Sequence, residues 1–63
     1  METFKDRLVK EKEELDNKLQ KLVEFLKGEQ FTTLSQTNQD LLIQQETVMS
    51  KYSAILGLRI NIN

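Results

Sequence analysis

The sequence predicts an all-α protein, an antiparallel two-helix hairpin with a short C-terminal β-strand, completed by homo-oligomerisation. Two long segments carry apolar residues at steps of three and four, as amphipathic helices do. Proline is absent from the 63 residues, and two glycines divide the chain. Cysteine and histidine are also absent, so a chain this short lacks disulfides and histidine metal ligands and is expected to gain stability by association. We therefore expect residues 1–63 to form one helical-hairpin domain.

The first helix is predicted at about residues 3–27. Its residues are strong helix formers, and Thr3 is a plausible N-cap because Asp6, three positions on, completes a pattern like a capping box. Gly28 stands where a glycine commonly closes a helix. The apolar positions are Phe4, Leu8, Leu15, Leu19, Leu22 and Leu26.

The second helix is predicted at about residues 36–56, after a connector at 28–35 that has room for one helical turn. Ser35 is a natural N-cap, and Gly57 is expected to end the helix. A connector this short predicts that the two helices pack antiparallel. The apolar positions are Leu41, Leu42, Val48, Met49, Tyr52, Ile55 and Leu56.

The tail at about residues 58–62 is predicted to be a β-strand. Its apolar residues alternate with polar ones through "LRININ", which is typical of a half-buried strand. The strand has no partner in its own hairpin, and a two-stranded ribbon is marginal without packing beneath it. We expect it to pair with, or dock on, another subunit, which would carry Arg59 to a subunit boundary.

Charge and composition exclude several classes of function. Nine basic residues are interleaved with ten acidic ones, so the basic face required by a nucleic acid polymer is missing. No apolar run approaches the ~20 residues of a membrane span. The chain offers no catalytic histidine or cysteine, no glycine-rich phosphate loop, and no paired carboxylates in contrasting environments. We expect a cytosolic protein that is not an enzyme and has no catalytic residues, no metal and no cofactor.

Polar residues interrupt the predicted apolar stripes. In the first helix the stripe runs through Leu8, Glu11, Leu15, Lys18, Leu22 and Phe25, and Glu11 and Lys18 are its interruptions. Gln45 interrupts the stripe of the second helix in the same way. Arg7 lies beside the first stripe, one turn before Glu11.

An antiparallel register brings several of these groups together. If Lys27 is level with Gln36, residues whose numbers add to about 63 face each other, so Phe4 lies near Arg59. The open end of the hairpin then collects Arg7, Glu11, Tyr52 and Arg59.

This cluster has two interpretations. In the structural one, which spacing alone favours, Arg7 and Glu11 form an ordinary helix pair, Tyr52 keeps its hydroxyl in water, and Arg59 protects a strand edge. In the functional one, the cluster is a nucleotide pocket. The tyrosine ring stacks on a base, guanidinium groups bind phosphate oxygens, and a carboxylate accepts hydrogen bonds from ribose.

The segment "FKDRLVKEKEELDNKLQKLVEFL", followed by Phe31, Gln45 and the closing "YSAILGLRI", resembles small helical-hairpin proteins of phages, including crAss-like phages. Nearly the whole chain, from about Phe4 to Ile60, takes part. The pattern is similar to Sequestin-like anti-Thoeris and anti-CBASS proteins, which are sponges for nucleotide immune signals.

The resemblance implies binding without cleavage, in pockets between subunits of a small homo-oligomer in the host cell cytoplasm. The expected partner is a small nucleotide signal, first a cyclic ADP-ribose isomer such as the 3'-cyclic form made by Thoeris TIR proteins, and next a CBASS cyclic oligonucleotide. The candidate ligand-binding residues are Arg7, Glu11, Tyr52, Arg59, Gln45 and Lys18. The alternative function is a structural or protein-binding oligomerisation module of a phage.

Overall fold

Two long helices joined by one short helix make up the computed structural model, which describes all 63 residues. Helix α1 spans Phe4–Leu26, α2 spans Glu29–Thr32 and α3 spans Gln36–Ile62. The long helices α1 and α3 pack against each other as an elongated hairpin of 46 × 17 × 13 Å. The predicted all-α fold and its hairpin of two long helices are confirmed.

Side-chain caps fix where the long helices begin. The Thr3 hydroxyl accepts a hydrogen bond from the Asp6 backbone N–H at 3.1 Å, and the Asp6 carboxylate accepts one from the Thr3 backbone N–H at 3.0 Å. This is a complete capping box, as predicted. Ser35 caps α3 by accepting from the Asn38 N–H at 3.2 Å, which confirms the second predicted cap. Each cap satisfies a backbone donor that the first turn of a helix leaves without a partner.

The connector is closed by backbone and amide hydrogen bonds. Gly28 follows the last turn of α1, but its φ of −86° is not left-handed, and it serves as the N-cap of α2. The Gln39 side-chain amide donates to the carbonyl oxygens of Phe31 and Leu34, both at 3.1 Å. The amide thereby ties α2 to the start of α3 and holds the closed end of the hairpin.

The predicted C-terminal strand is wrong, because α3 continues through Ile62. Gly57 has no positive φ and does not end the helix. A glycine inside a helix costs about 1 kcal/mol relative to alanine. Continuing the helix offsets this cost, since it keeps the backbone hydrogen-bonded and places the fully buried Leu56 and the half-buried Ile60 on one side. Alternation over five residues is too short to distinguish strand from helix.

The hairpin buries very little. Only Leu8, Ser53 and Leu56 are buried, 3 of 63 residues. The accessible surface is 5023 Å², whereas a compact monomer of this mass exposes about 4200 Å². No helix has a run long and apolar enough to cross a membrane. Homo-oligomerisation stays a prediction, and it would cover the surface that one chain leaves open.

Gly57→Ala tests the helical tail. We expect the free energy of unfolding to rise by about 0.5–1 kcal/mol, because alanine is the better helix former. The new Cβ would lie 3.4 Å from Lys12 Cε, the far end of a flexible side chain that can shift. Urea unfolding at equal protein concentrations measures the change. A left-handed glycine that ended the helix would give the opposite sign, a loss of stability.

Candidate functional site

Tyr52 and Glu11 meet across the helix pair near its open end. The Tyr52 hydroxyl donates a hydrogen bond to the Glu11 carboxylate. The tyrosine side of α3 is open to solvent, with Tyr52 40% exposed. This contact agrees with the predicted register, in which residue numbers add to about 63. The tyrosine side chain is therefore partly open to solvent while its hydroxyl is hydrogen-bonded to the carboxylate.

Arg59 and Phe4 form a second cross-helix contact, which lies closer to the open end of the hairpin than the contact between Tyr52 and Glu11. The guanidinium carbon of Arg59 lies 5.8 Å from the centre of the Phe4 ring. A guanidinium group over a ring is held by a cation–π interaction. Its N–H donors lie in the guanidinium plane and can still form the paired hydrogen bonds that phosphate oxygens accept. Phe4, predicted only to be near Arg59, thus contacts and orients that arginine.

Arg7 lies on the same face of α1 as Phe4 and Glu11, three residues after the first and four before the second. Its side chain is 72% exposed, and its Nε is 3.8 Å from a Glu2 carboxylate oxygen. Arg7 does not pair with Glu11, and its one ion pair is with Glu2. The guanidinium of Arg7 is therefore exposed at the open end and carries only a weak, solvent-screened ion pair.

Gln45 and Lys18 lie apart from this cluster in the single chain. Both are exposed, and the register that pairs Glu11 with Tyr52 places them level with each other. Seven residues of helix, about 10 Å, separate them from Tyr52 and Glu11. The Gln45 amide faces the Met49 sulfur at 3.8 Å.

The spacing pattern missed a polar network in the middle of the helix interface. The Lys12 ammonium donates to Asp16 at 2.7 Å and to the Ser53 hydroxyl at 3.1 Å. Ser53 in turn donates to Asp16. Hydrogen bonds from Lys12 and then Ser53 hold the pKa of Asp16 below its ordinary value. The network links α1 to α3 through hydrogen bonds.

The Glu11 carboxylate changes the acidity of Tyr52. Accepting the hydroxyl proton in a hydrogen bond favours the neutral phenol, and partial burial and the negative charge of Glu11 act in the same direction. Arg59 acts in the opposite direction, but the pKa of Tyr52 is raised above 10.0. At neutral pH the site therefore presents a neutral phenol beside a carboxylate and a guanidinium group.

No enclosed cavity surrounds these residues in one chain. The one concavity, of about 430 Å³, is an open polar groove along α1, bounded by Asn17, Gln20, Lys21 and Glu24. It lies on a different part of the surface from Tyr52. No group of three or more acidic side chains is placed to hold a metal ion. A ligand at Tyr52 would rest on an open surface unless a second chain covered it.

The single tyrosine allows a direct titration. We expect the folded protein to form tyrosinate above the ordinary pKa of 10.0, and Glu11→Gln to lower the pKa toward that value. Because the neutral phenol is favoured in the fold, the contribution of the pair is full below pH 10 and is lost as the pH rises through the folded pKa. Tyrosinate absorbance measures the titration without interference, since tryptophan is absent. Equal pKa values in both proteins would contradict the hydrogen bond.

The comparison with known families covers nearly the whole chain. The Sequestin family matches residues 2–62. No curated protein and no solved structure matches the chain. The match includes both long helices and all of the open-end residues described above. The chain therefore belongs to the Sequestin family.

Proposed function

We propose that this protein is a phage anti-defence sponge, which binds and sequesters a nucleotide immune signal without cleaving it. Membership of the Sequestin family carries the proposal. The grouping of Tyr52 with Glu11 and of Arg59 with Phe4 at one end of the hairpin supports it. The best candidate signal is a cyclic ADP-ribose isomer such as 3'-cyclic ADP-ribose of Thoeris defence, and the next is a CBASS cyclic oligonucleotide.

Each group in the cluster matches one part of such a ligand. The exposed ring of Tyr52 stacks on adenine, as aromatic side chains do with unpaired bases. Arg59, already oriented by Phe4, binds the pyrophosphate, and the exposed Arg7 adds a second guanidinium group. Glu11 accepts hydrogen bonds from ribose hydroxyls with the lone pairs that Tyr52 leaves free. Gln45 or Lys18 would contact the ligand only from a second chain.

Sequestration needs affinity and copy number, and no chemical step. Free signal falls when binding sites outnumber signal molecules, so a short chain that is quickly made suits the role. The Ser53 hydroxyl, which is hydrogen-bonded to Lys12 and Asp16, is buried between the helices and is not open to a substrate. We therefore propose a non-enzymatic protein that acts in the host cell cytoplasm, where TIR enzymes and cyclases release their signals.

A filtration assay tests the function. Purified protein is mixed with 3'-cyclic ADP-ribose, the protein is removed by filtration, and the filtrate is assayed for activation of the Thoeris effector. We expect an inactive filtrate, and we expect heating of the retained protein to release intact signal. Full activity in the filtrate would reject this ligand, and the same assay with cyclic dinucleotides would then test the second candidate. Loss of signal that heating does not restore would indicate cleavage instead of sequestration.

A structural or protein-binding module of a phage is the alternative, and large apolar side chains exposed on α3 favour it. Thermal unfolding separates the two functions. A ligand that binds only the folded state raises the melting temperature in proportion to the logarithm of its concentration. A sponge should therefore melt higher with its signal, and an oligomerisation module should not respond to any nucleotide.

A further inference from the structure

The two long helices differ in how their apolar side chains are arranged. In α1 these side chains gather on one face, whereas in α3 they are spread around the helix. Helix α3 therefore has an inner stripe, which packs on α1, and an outer stripe, which α1 leaves exposed. The inner stripe includes Leu42, Met49, Ser53 and Leu56, and the outer stripe includes Leu41, Val48, Tyr52 and Ile55. Apolar packing alone would accept either stripe, because hydrophobic attraction is non-directional and follows buried area.

A rotation of α3 about its own axis would exchange the two stripes. Each of these outer residues directly precedes an inner one in the sequence, so the stripes lie about 100° apart around the helix. A short connector limits how far α3 can slide along α1 but constrains its rotation less. Rotation would turn Tyr52 away from its place beside Glu11 and would turn the buried Ser53 outward. A directional interaction is therefore needed to select the inner stripe.

Directional contacts between the long helices are few. Three side-chain hydrogen bonds join α1 to α3, and one of them is the contact between Tyr52 and Glu11. The other two meet at Ser53, whose hydroxyl accepts from Lys12 at 3.1 Å and donates to Asp16. The two ion pairs of the chain lie in α1 and the residues before it, so neither joins the helices. Apart from the tyrosine contact, Ser53 is thus the single directional link between α1 and α3.

The inner stripe also has a shape that suits this link. Ser53 is the only polar residue that the protein buries. Gly57, one turn later, is the only glycine of α3. It leaves room for the Lys12 side chain, whose Cε lies 3.4 Å from where a Cβ at position 57 would stand. Rotation of α3 would break both hydrogen bonds of Ser53 and move this space away from Lys12.

We propose that Lys12, Asp16 and Ser53 form a rotation lock, which selects the inner stripe of α3 and thereby holds Tyr52 against Glu11. The lock and the contact lie side by side, because Lys12 follows Glu11 and Ser53 follows Tyr52 in the sequence. In coiled coils a single buried polar residue fixes the alignment of packed helices in a similar way. The lock residues are positioning residues, which act on a ligand only through Tyr52 and Glu11, and that part rests on the proposed function.

A double-mutant cycle on the tyrosine titration tests the rotation lock without any ligand. The four proteins are wild type, Glu11→Gln, Ser53→Ala and the double variant. In wild type, Glu11→Gln should lower the pKa of Tyr52, because the hydrogen bond to the carboxylate favours the neutral phenol. In the Ser53→Ala background we expect the same substitution to change the pKa by less than half as much. Equal changes in both backgrounds, or no change in wild type, would overturn the proposal.

Ser50→Ala is the matched control. Its hydroxyl donates to Glu46 at 3.1 Å within α3 and forms no hydrogen bond with α1. The substitution removes a serine hydroxyl from the same helix, so its effect on helix propensity matches that of Ser53→Ala. We expect the full wild-type response of Tyr52 to Glu11→Gln. A response reduced as far as in Ser53→Ala would show that any lost hydroxyl loosens α3, and the assignment to Ser53 would be wrong.

Lys12 provides a second test with its own conservative variant. Lys12→Met keeps an unbranched side chain but removes the ammonium donor, whereas Lys12→Arg keeps the charge and the N–H donors. We expect Lys12→Met to reduce the response of Tyr52 to Glu11→Gln, and Lys12→Arg to retain it. This pair also replaces Ser53→Ala if that variant is unfolded by circular dichroism. A full response in Lys12→Met would contradict the rotation lock.

Capture of 3'-cyclic ADP-ribose separates the rotation lock from the proposed function. Ser53→Ala should weaken capture about fivefold, as for the loss of one hydrogen bond, although Ser53 is buried and cannot reach a ligand. Ser50→Ala should bind as wild type does in the same equilibrium dialysis. No capture by wild type would reject the function and leave the result of the titration standing. A reduced titration response with undiminished capture would support the lock and reject Tyr52 and Glu11 as ligand-binding residues.

Discussion

Leu56→Ala is expected to unfold most of the protein. Leu56 is fully buried in α3, on the face that packs against α1. Removing a buried leucine side chain costs about 2–5 kcal/mol, including the cavity left behind. A core in a chain this short supplies about 3–5 kcal/mol, so the loss equals most of the stability. Urea unfolding followed by circular dichroism should show a transition shifted to far lower denaturant concentration, or no folded baseline.

Leu58→Ala is the matched control. It removes the same side chain two residues further along the same helix, where Leu58 is 65% exposed. Exposed substitutions away from special features usually change stability by about 0.5 kcal/mol or less. We expect near-wild-type unfolding for Leu58→Ala. Equal losses in both variants would contradict the assignment of Leu56 to the face between the helices.

Arg59→Ala is expected to weaken capture of 3'-cyclic ADP-ribose by about ten- to a hundredfold. The reason is the loss of hydrogen bonds to a charged phosphate group, which contribute about 1.5–3 kcal/mol each. The same substitution removes the guanidinium that lies over Phe4. Stability should change little, because a partly exposed cation–π contact contributes about 0.5–1 kcal/mol. Equilibrium dialysis with the nucleotide measures the affinity.

Lys51→Ala controls for charge, since it removes one positive charge from an exposed position of the same helix. It should leave capture within about twofold of wild type, because long-range attraction between exposed charges is screened by salt. Arg59→Lys should fall between the two, since lysine keeps the charge without the planar pair of donors. If Lys51→Ala weakened capture as much as Arg59→Ala, general charge would explain binding, and the assignment of Arg59 would be wrong.

The helix starts were predictable because they depend on local capping residues. The antiparallel register was predictable because it depends on the length of the connector. The hydroxyl groups of Thr3 and Ser35 each accept a hydrogen bond from a free backbone N–H in the first turn of a helix, and both form the expected caps. A short connector leaves little freedom in the register. The pairs Glu11–Tyr52 and Phe4–Arg59 therefore followed from the rule that the numbers of facing residues add to about 63.

The inward faces were less predictable because each helix offers two stripes with helical spacing. In α1 the stripe through Glu11 and Lys18 competes with one through Leu8, Lys12, Leu15, Leu19, Leu22 and Leu26. The second has one polar interruption instead of two, a signal that would have identified Lys12 as the inward residue. In α3 both stripes are mainly apolar, and a single chain can cover only one of them. Tyr52 and Gln45 therefore lie on the exposed face.

The tail was mispredicted because glycine and short alternation carry little information on their own. Gly57 can end a helix or lie within one, and the packing of Leu56 and Ile60 decides between them. That packing depends on contacts with α1, which the local pattern does not include. The ligand-binding roles of Arg7, Lys18 and the other candidates stay predictions, since they depend on a bound molecule.

The close approach of Lys12 to Gly57 has a consequence for how this family evolves. Lys12 Cε passes 3.4 Å from where a Cβ at position 57 would stand, on its way to Ser53. A bulky side chain at 57 would therefore displace a long side chain at 12 from its path to Ser53. Among related sequences, positions 12 and 57 should covary, with a small residue at 57 wherever lysine or arginine occupies 12. A substitution to a larger residue at one position would then be accompanied by a compensating substitution at the other, 45 residues away in the chain.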